Sequence, residues 1–181
     1  MASFGDPAAA FLVVGLAPGA AGANRTGRPF TGDFAGELLY DALIRHGLAR
    51  GRFAARVDDG LELAGCRITN AVRCVPPANK PTGGEIGTCR RFLDDELSAD
   101  PAPAVVLALG RIAWDSVLRA RRQPVGRFPF AHEAVAALPD GPVLVGTYHT
   151  SRYNVNTGRL TAAMFDRAVT RAVAFLRARA G

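Results

Sequence analysis

The sequence predicts an α/β domain: a three-layer sandwich in which a central, mostly parallel four-stranded sheet is flanked by helices. The first observation is four short apolar runs rich in β-branched residues, each ended by glycine, proline or a polar cluster. The second is that segments with helical spacing alternate with those runs, the pattern of a parallel sheet covered on both faces. The third is composition: 49% apolar and 21% charged residues over 181 residues suit one globular domain, with no internal repeat or low-complexity stretch.

The elements follow in order. "AFLVVGLAP" predicts a buried strand from Phe11 to Leu16, ended by Gly and Pro. A long loop, Leu16 to Asp33, holds four glycines, two prolines and a single carboxylate. Ala35, Leu38, Leu39, Ala42 and Leu43 then repeat at helical spacing, and Gly47 stops that helix. "CRITNAVRC" predicts a second strand over Arg67 to Val72, and "VPPANKPTGG" excludes regular structure after it. A helix is expected over Glu85 to Leu97, a third strand over Ala104 to Leu109, and a helix through Ile112, Trp114 and Leu118. "GPVLVGTYH" predicts the fourth strand, and Phe165, Val169, Val173 and Leu176 mark an amphipathic C-terminal helix.

In open α/β sheets ligands lie beyond the carboxyl ends of the strands. That rule gathers the Leu16–Asp33 loop, Asn70, Gly110–Arg111 and the polar "YHTSRYNVNTG", with His149, at one edge. A phosphate loop would need G-x-x-x-x-G-K-S/T or G-x-G-x-x-G; Gly15, Gly19 and Gly22 fit neither and no lysine follows them. Each residue also has a plain structural reading. Asp33 precedes a helix and suits an N-cap, Phe30 suits a core, and an isolated His149 suits a structural role.

The net charge of +6 comes almost wholly from arginine, Lys80 being the one lysine, and a basic surface attracts polyanions. Cys66, Cys74 and Cys89 make an odd set, read as buried thiols or metal ligands rather than disulfides. No apolar run is long enough for a membrane span and Met1 to Pro7 has no signal-peptide core, so a cytoplasmic location is expected.

"GLAPGAAGANRTGRPFTGD", "NAVRCVPPANKPT", "CRRFL" and "YHTSRYNVNTGRLT" together resemble the family 5, or UDGb-type, uracil-DNA glycosylases, and more loosely the iron–sulfur family 4 enzymes. The resemblance runs from "FGDP" almost to the C-terminus and implies one uracil-DNA-glycosylase-like domain over residues 1–181. It implies a monofunctional glycosylase, monomeric, that removes uracil and other deaminated bases from DNA and leaves an abasic site. Catalysis would fall to Asp33, positioning water and stabilising a positive sugar, and to His149, donating toward uracil O2. Ala17, Pro18, Gly19, Phe30 and Asn70 would hold the base: Phe30 by stacking, Asn70 by reading its edge. In "GLAPG" the polar residue that family 1 places there is absent, as in family 5. Ser151, Arg152, Asn154 and Thr157 would contact DNA or brace their own loop, Arg152 filling the space left by the flipped base.

Families 4 and 5 hold a 4Fe–4S cluster on four cysteines. By setting, Cys74 and Cys89 match two of these, whereas the other two belong upstream of "FGDP". The cluster-binding upstream segment is therefore expected to be missing, and the cluster incomplete or absent in this chain. The alternative function is a catalytically impaired DNA-binding relative; a nucleotide-dependent transferase is the third class, resting only on the glycine-rich loop.

Overall fold

The computed structural model describes residues 1–32 and 34–180. Four parallel strands form its centre: β2 (Phe11–Gly15), β5 (Cys66–Asn70), β6 (Val105–Leu109) and β8 (Val143–Thr147). Two short antiparallel strands, β1 (Phe4–Gly5) and β7 (Val135–Ala137), extend the edges, giving the order β1-β5-β2-β6-β8-β7. The expected four strands are thus the core of a six-stranded sheet, and the two additions are too short to carry a period of their own. The strand expected over Arg67 to Val72 forms its ladder over Cys66–Asn70, starting one residue earlier and ending two earlier. Its extension still bonds, because the Ala71 and Val72 N–H groups donate to the carbonyls of Gly15 and Leu16 at 2.9 Å.

Alternation along each strand divides the apolar residues between two layers. Phe11, Val13, Val105 and Leu107 face α2 (Ala35–Arg45) and α6 (Ala162–Ala180), meeting Leu39, Tyr40, Leu43, Phe165 and Val169. Leu12, Val14, Val106 and Ala108 face α3 (Gly83–Leu97) and α4 (Arg111–Ala120), where Trp114 is fully buried and its indole N–H donates to the Phe128 carbonyl at 2.9 Å. α3 begins two residues before the expected Glu85. A reciprocal cap explains this: the Thr82 hydroxyl accepts from the Glu85 N–H, and the Glu85 carboxylate accepts from the Thr82 N–H. Within the first loop lies a single helical turn, α1 (Ala23–Thr26), and "TSRYNVNTG" folds into α5 (Arg152–Asn156) rather than remaining an open loop. Among the described residues no helix is long and apolar enough to cross a membrane.

A two-stranded ribbon, β3 (Ala49–Arg50) with β4 (Glu62–Leu63), carries the partner that fixes the first loop. Between its strands Asp59 takes two hydrogen bonds from the Arg28 guanidinium, at 2.8 and 2.7 Å. The two side chains are 6% and 1% exposed. Asp59 also accepts from the Ala54 and Leu61 N–H groups, and Arg28 donates to Thr31 Oγ1 and to the Arg56 carbonyl. The guanidinium lies 5.5 to 5.8 Å from the centroids of Phe4, Tyr40 and Phe53. Tyr40 adds a 2.6 Å hydrogen bond from its hydroxyl to the Pro29 carbonyl.

Removing one member of such a pair leaves the other buried and charged. Asp59→Ala is therefore expected to cost about 3–5 kcal/mol in urea-induced unfolding; a loss under about 1 kcal/mol would contradict a buried clamp. Arg28 holds the Asp59 carboxyl well below the usual carboxylate range, so this stability persists above about pH 4 and is lost only as pH falls further.

Candidate active site

The four parallel strands end at Gly15, Asn70, Leu109 and Thr147, and the chain beyond three of them encloses a cleft of about 640 Å³. Phe30 and Asn70 meet at its floor, and Gly15 makes their approach possible. A Cβ at position 15 would stand 2.6 Å from Phe30 Cζ and closer still to Asn70 Oδ1, so only glycine leaves room.

Phe30 takes a left-handed backbone, φ +53°, which costs a β-carbon residue roughly 1–2 kcal/mol. The hydrogen bonds at Arg28, Pro29 and Thr31 hold it there. Gly36 also lets α2 pass against the Phe30 carbonyl, where a Cβ would collide. The ring ends up 6.2 Å from that of His149, tilted by 35°.

Asn70 is 5% exposed, and its Oδ1 is buried without a hydrogen-bond partner among the described residues. Nearly all buried polar atoms in native proteins are paired. An orphaned acceptor at the floor of a cleft has capacity for one more donor. His149 closes the opposite side, and its carbonyl accepts from Asn154 Nδ2 at 2.8 Å. Burial pushes its pKa down to about 4, so near neutral pH the ring is uncharged and has one N–H to donate.

Ala17 and Gly19 line the cleft, while Pro18 between them is buried and does not. The N–H groups of Ala17 and Gly19 have no acceptor among the described residues. Asp33 lies outside the described residues; α2 starts just after it, with Phe34 as its N-cap residue. Ser151 and Arg152 also line the cleft. The Ser151 hydroxyl caps α5 by accepting from the Asn154 N–H, and the Arg152 guanidinium lies 5.6 Å over the Phe34 ring. Asn154 faces an adjoining recess of about 390 Å³ that shares Leu16 and His149 with the cleft. Thr157, exposed at the end of α5, donates its hydroxyl to the Tyr153 carbonyl at 2.8 Å. Three of these four side chains thus bond their own loop's backbone.

The expected cluster ligands do not form a metal centre by themselves. Cys74 is exposed and Cys89 buried, and among the described residues no group of three or more His, Cys, Asp or Glu is placed to hold a metal. Two thiolates do not satisfy a cluster that needs four. Cys66 is fully buried on β5, and burial alone raises its thiol pKa.

Sequence reasoning missed Gly15, Phe34 and Asn79 as cleft-lining or cleft-shaping residues. Gly15 carried the clearest signal, since it ends the first strand opposite Asn70 in the ladder.

Because the folded protein keeps His149 neutral, its unfolded chain binds a proton between about pH 6.5 and the depressed folded value. Stability should therefore fall as pH drops below about 6.5, and His149→Gln should flatten that decline. Thermal unfolding of both proteins across the range, with NMR of the His149 ring, checks this. A ring that titrates near its ordinary value in the folded protein would contradict the neutral imidazole.

A family model and three relatives match this chain. The family model described as "Uracil DNA glycosylase superfamily" matches residues 2–172. A type-5 uracil-DNA glycosylase of Thermus thermophilus is 49% identical over 162 residues, 90% of this chain and 74% of the relative. Those of Mycobacterium leprae and Pyrobaculum aerophilum are 49% identical over 158 residues and 42% identical over 171. These alignments cover 86% and 94% of this chain, and 69% and 74% of the relatives. This chain belongs to the uracil DNA glycosylase superfamily, within its type-5 uracil-DNA glycosylases.

Proposed function

We propose that this chain is a base-excision repair glycosylase that hydrolyses the N-glycosidic bond of uracil in DNA. The orphaned Asn70 Oδ1 beside the Phe30 ring is the observation that carries this reading. Uracil offers a flat face to the ring, an N3–H donor to Oδ1, and O4 as acceptor for the Asn70 NH2 group. To reach them the nucleotide must leave the duplex, which costs stacking and pairing.

The reaction consumes one water: the C1′–N1 bond breaks, the electron pair leaves with the base, and water oxygen bonds C1′. Free uracil and an abasic site remain. Negative charge grows on the departing base, and the neutral His149 donates its N–H toward O2, with the Ala17 and Gly19 N–H groups as further donors. Positive charge grows on the sugar; Asp33 would face it, hold the water and take its proton. The protein works as a monomer in this reading, since one chain supplies the whole cleft. Uracil is the primary substrate and other deaminated bases are secondary ones. Nothing in the relatives' names or in the cleft favours the alternative of a non-catalytic DNA-binding chain.

Single-turnover release of uracil from an oligonucleotide, read as alkali-labile sites, tests the proposal. The wild-type chain should cleave, and Asp33→Asn should cleave at least about 100-fold more slowly while still binding DNA. DNA binding without base release would sink the glycosylase reading. Wild-type rates in Asp33→Asn would remove Asp33 from the chemistry.

A further inference from the structure

We propose that His132 is a positioning residue for His149: through Thr147 and Tyr148 it fixes the two residues that carry the histidine into the cleft, and this rests on the glycosylase reading above. His149 needs such support. Its carbonyl is tied to Asn154, but among the described residues no hydrogen bond reaches its ring, whose one ring neighbour is Phe30 at 6.2 Å. A donor that must be held within about 0.5 Å of its working position is then aimed by packing and by the backbone that carries it.

Both residues before His149 meet the same imidazole. The Tyr148 ring stacks on that of His132, with centroids 5.2 Å apart and planes 19° from parallel. Thr147, fully buried at the end of β8, places its hydroxyl 3.3 Å from His132 Nδ1 and 3.3 Å from the Tyr148 carbonyl. The single proton of that hydroxyl thus lies between the imidazole and the peptide bond that leads into His149. The backbone is anchored here as well, since the Thr147 carbonyl accepts from the Gly110 N–H at 2.7 Å. The Arg159 guanidinium lies 4.8 Å from the Tyr148 ring centroid, and the Phe130 ring meets Tyr148 edge-on at 6.2 Å. Phe130, Tyr148, Arg159 and His149 all border the recess next to the cleft, so this packing stands directly beside the site. His132 lines neither cavity, and therefore acts through its neighbours and not on the base.

His132 is itself held by a constrained turn. Glu133 takes a left-handed backbone, φ +60°, while its N–H donates to the Gly146 carbonyl at 2.8 Å and its carbonyl accepts from Arg171 at 3.1 Å. Gly146 lets that turn approach, because a Cβ there would stand 3.0 Å from the Ala131 carbonyl oxygen. The Glu133 carboxylate accepts from Arg167 Nε at 3.1 Å and lies 3.3 Å from His132 Nε2, out of line for a hydrogen bond. Burial pushes the His132 pKa below its ordinary value, with Glu133 opposing that shift and Arg167 assisting it. The neutral ring carries one N–H, and the carboxylate beside Nε2 favours it there. Nδ1 is then the acceptor for the Thr147 hydroxyl.

The full chain and its His132→Ala, His132→Asn and Thr147→Val variants should be compared in three measurements. These are single-turnover excision from a uracil-containing oligonucleotide at saturating protein, binding to that oligonucleotide, and NMR of the His149 ring. A displaced catalytic group costs up to about 100-fold, so His132→Ala and Thr147→Val should slow excision at least about tenfold with DNA affinity changed less than about twofold. The His149 ring resonances of the free protein should shift in both. His132→Asn offers Oδ1 in place of Nδ1 to the Thr147 proton, and should recover most of the rate and the wild-type His149 resonances. A residue that only supports the fold would lower the melting temperature of His132→Ala while the folded enzyme kept its rate and its His149 resonances, and that result would overturn the proposal. So would a loss confined to DNA affinity, or a His132→Asn variant as slow as His132→Ala. Thr147→Val decides the matter if His132→Ala does not fold. A wild-type chain that releases no uracil would overturn the glycosylase reading instead, and the His149 resonances would still decide the positioning role.

Discussion

Arg28 lies between the carboxylate of Asp59 and the faces of three aromatic rings, and the residues that follow it have little freedom left. Its Nε–H holds the Thr31 hydroxyl, Tyr40 holds the Pro29 carbonyl, and Phe30 between them is left in a backbone conformation it would not choose. The cleft depends on that forced turn. It sets the ring beside Asn70 and opposite His149, at the edge of the core that lies under α2 and α6. A buried pair of this kind is weak evidence for stability as such. Here it orients a loop, and the aromatic rings around the guanidinium show how it remains favourable away from water.

The site itself is kept under-satisfied. Phe30 is held in the left-handed region, the acceptor of Asn70 lacks a donor, and His149 is too desolvated to carry a charge near neutral pH. The first two each cost on the order of 1–3 kcal/mol, a large share of a domain's net stability. They persist because the parallel sheet and its two buried layers hold the strand ends rigidly. A base that enters can relieve the second cost at once, supplying the missing donor while covering the ring. In the proposed reaction, binding and selectivity would come from one pre-arranged surface, and an uncharged His149 would avoid presenting a cation to a neutral base before its bond breaks.

Much of this was legible in the chain. The four central strands announce themselves because a parallel sheet buried on both faces reads as short, continuous apolar runs. Their carboxyl ends bring together residues as distant as Phe30, Asn70 and His149, all three of which line the cleft. The clamp was not legible, because Arg28 sits in a glycine-rich loop and Asp59 lies 31 residues away in a ribbon with two-residue strands. No local period links them. α5 was hidden by its brevity and polar composition. Thr82 and Glu85 did carry a capping signature, masked by the two glycines between them.

If Asn70 and His149 form the base pocket, free uracil should report on both without any DNA present. The direct measurement is NMR of the Asn70 side-chain amide and the His149 ring during titration with uracil, with thymine as the comparison ligand. Both sets of resonances should move together along one saturable curve for uracil, and the His149 shifts should follow a new hydrogen bond without protonation. Uracil that leaves both unmoved, in a protein that still releases it from DNA, would place the base elsewhere and contradict the role assigned to this cleft.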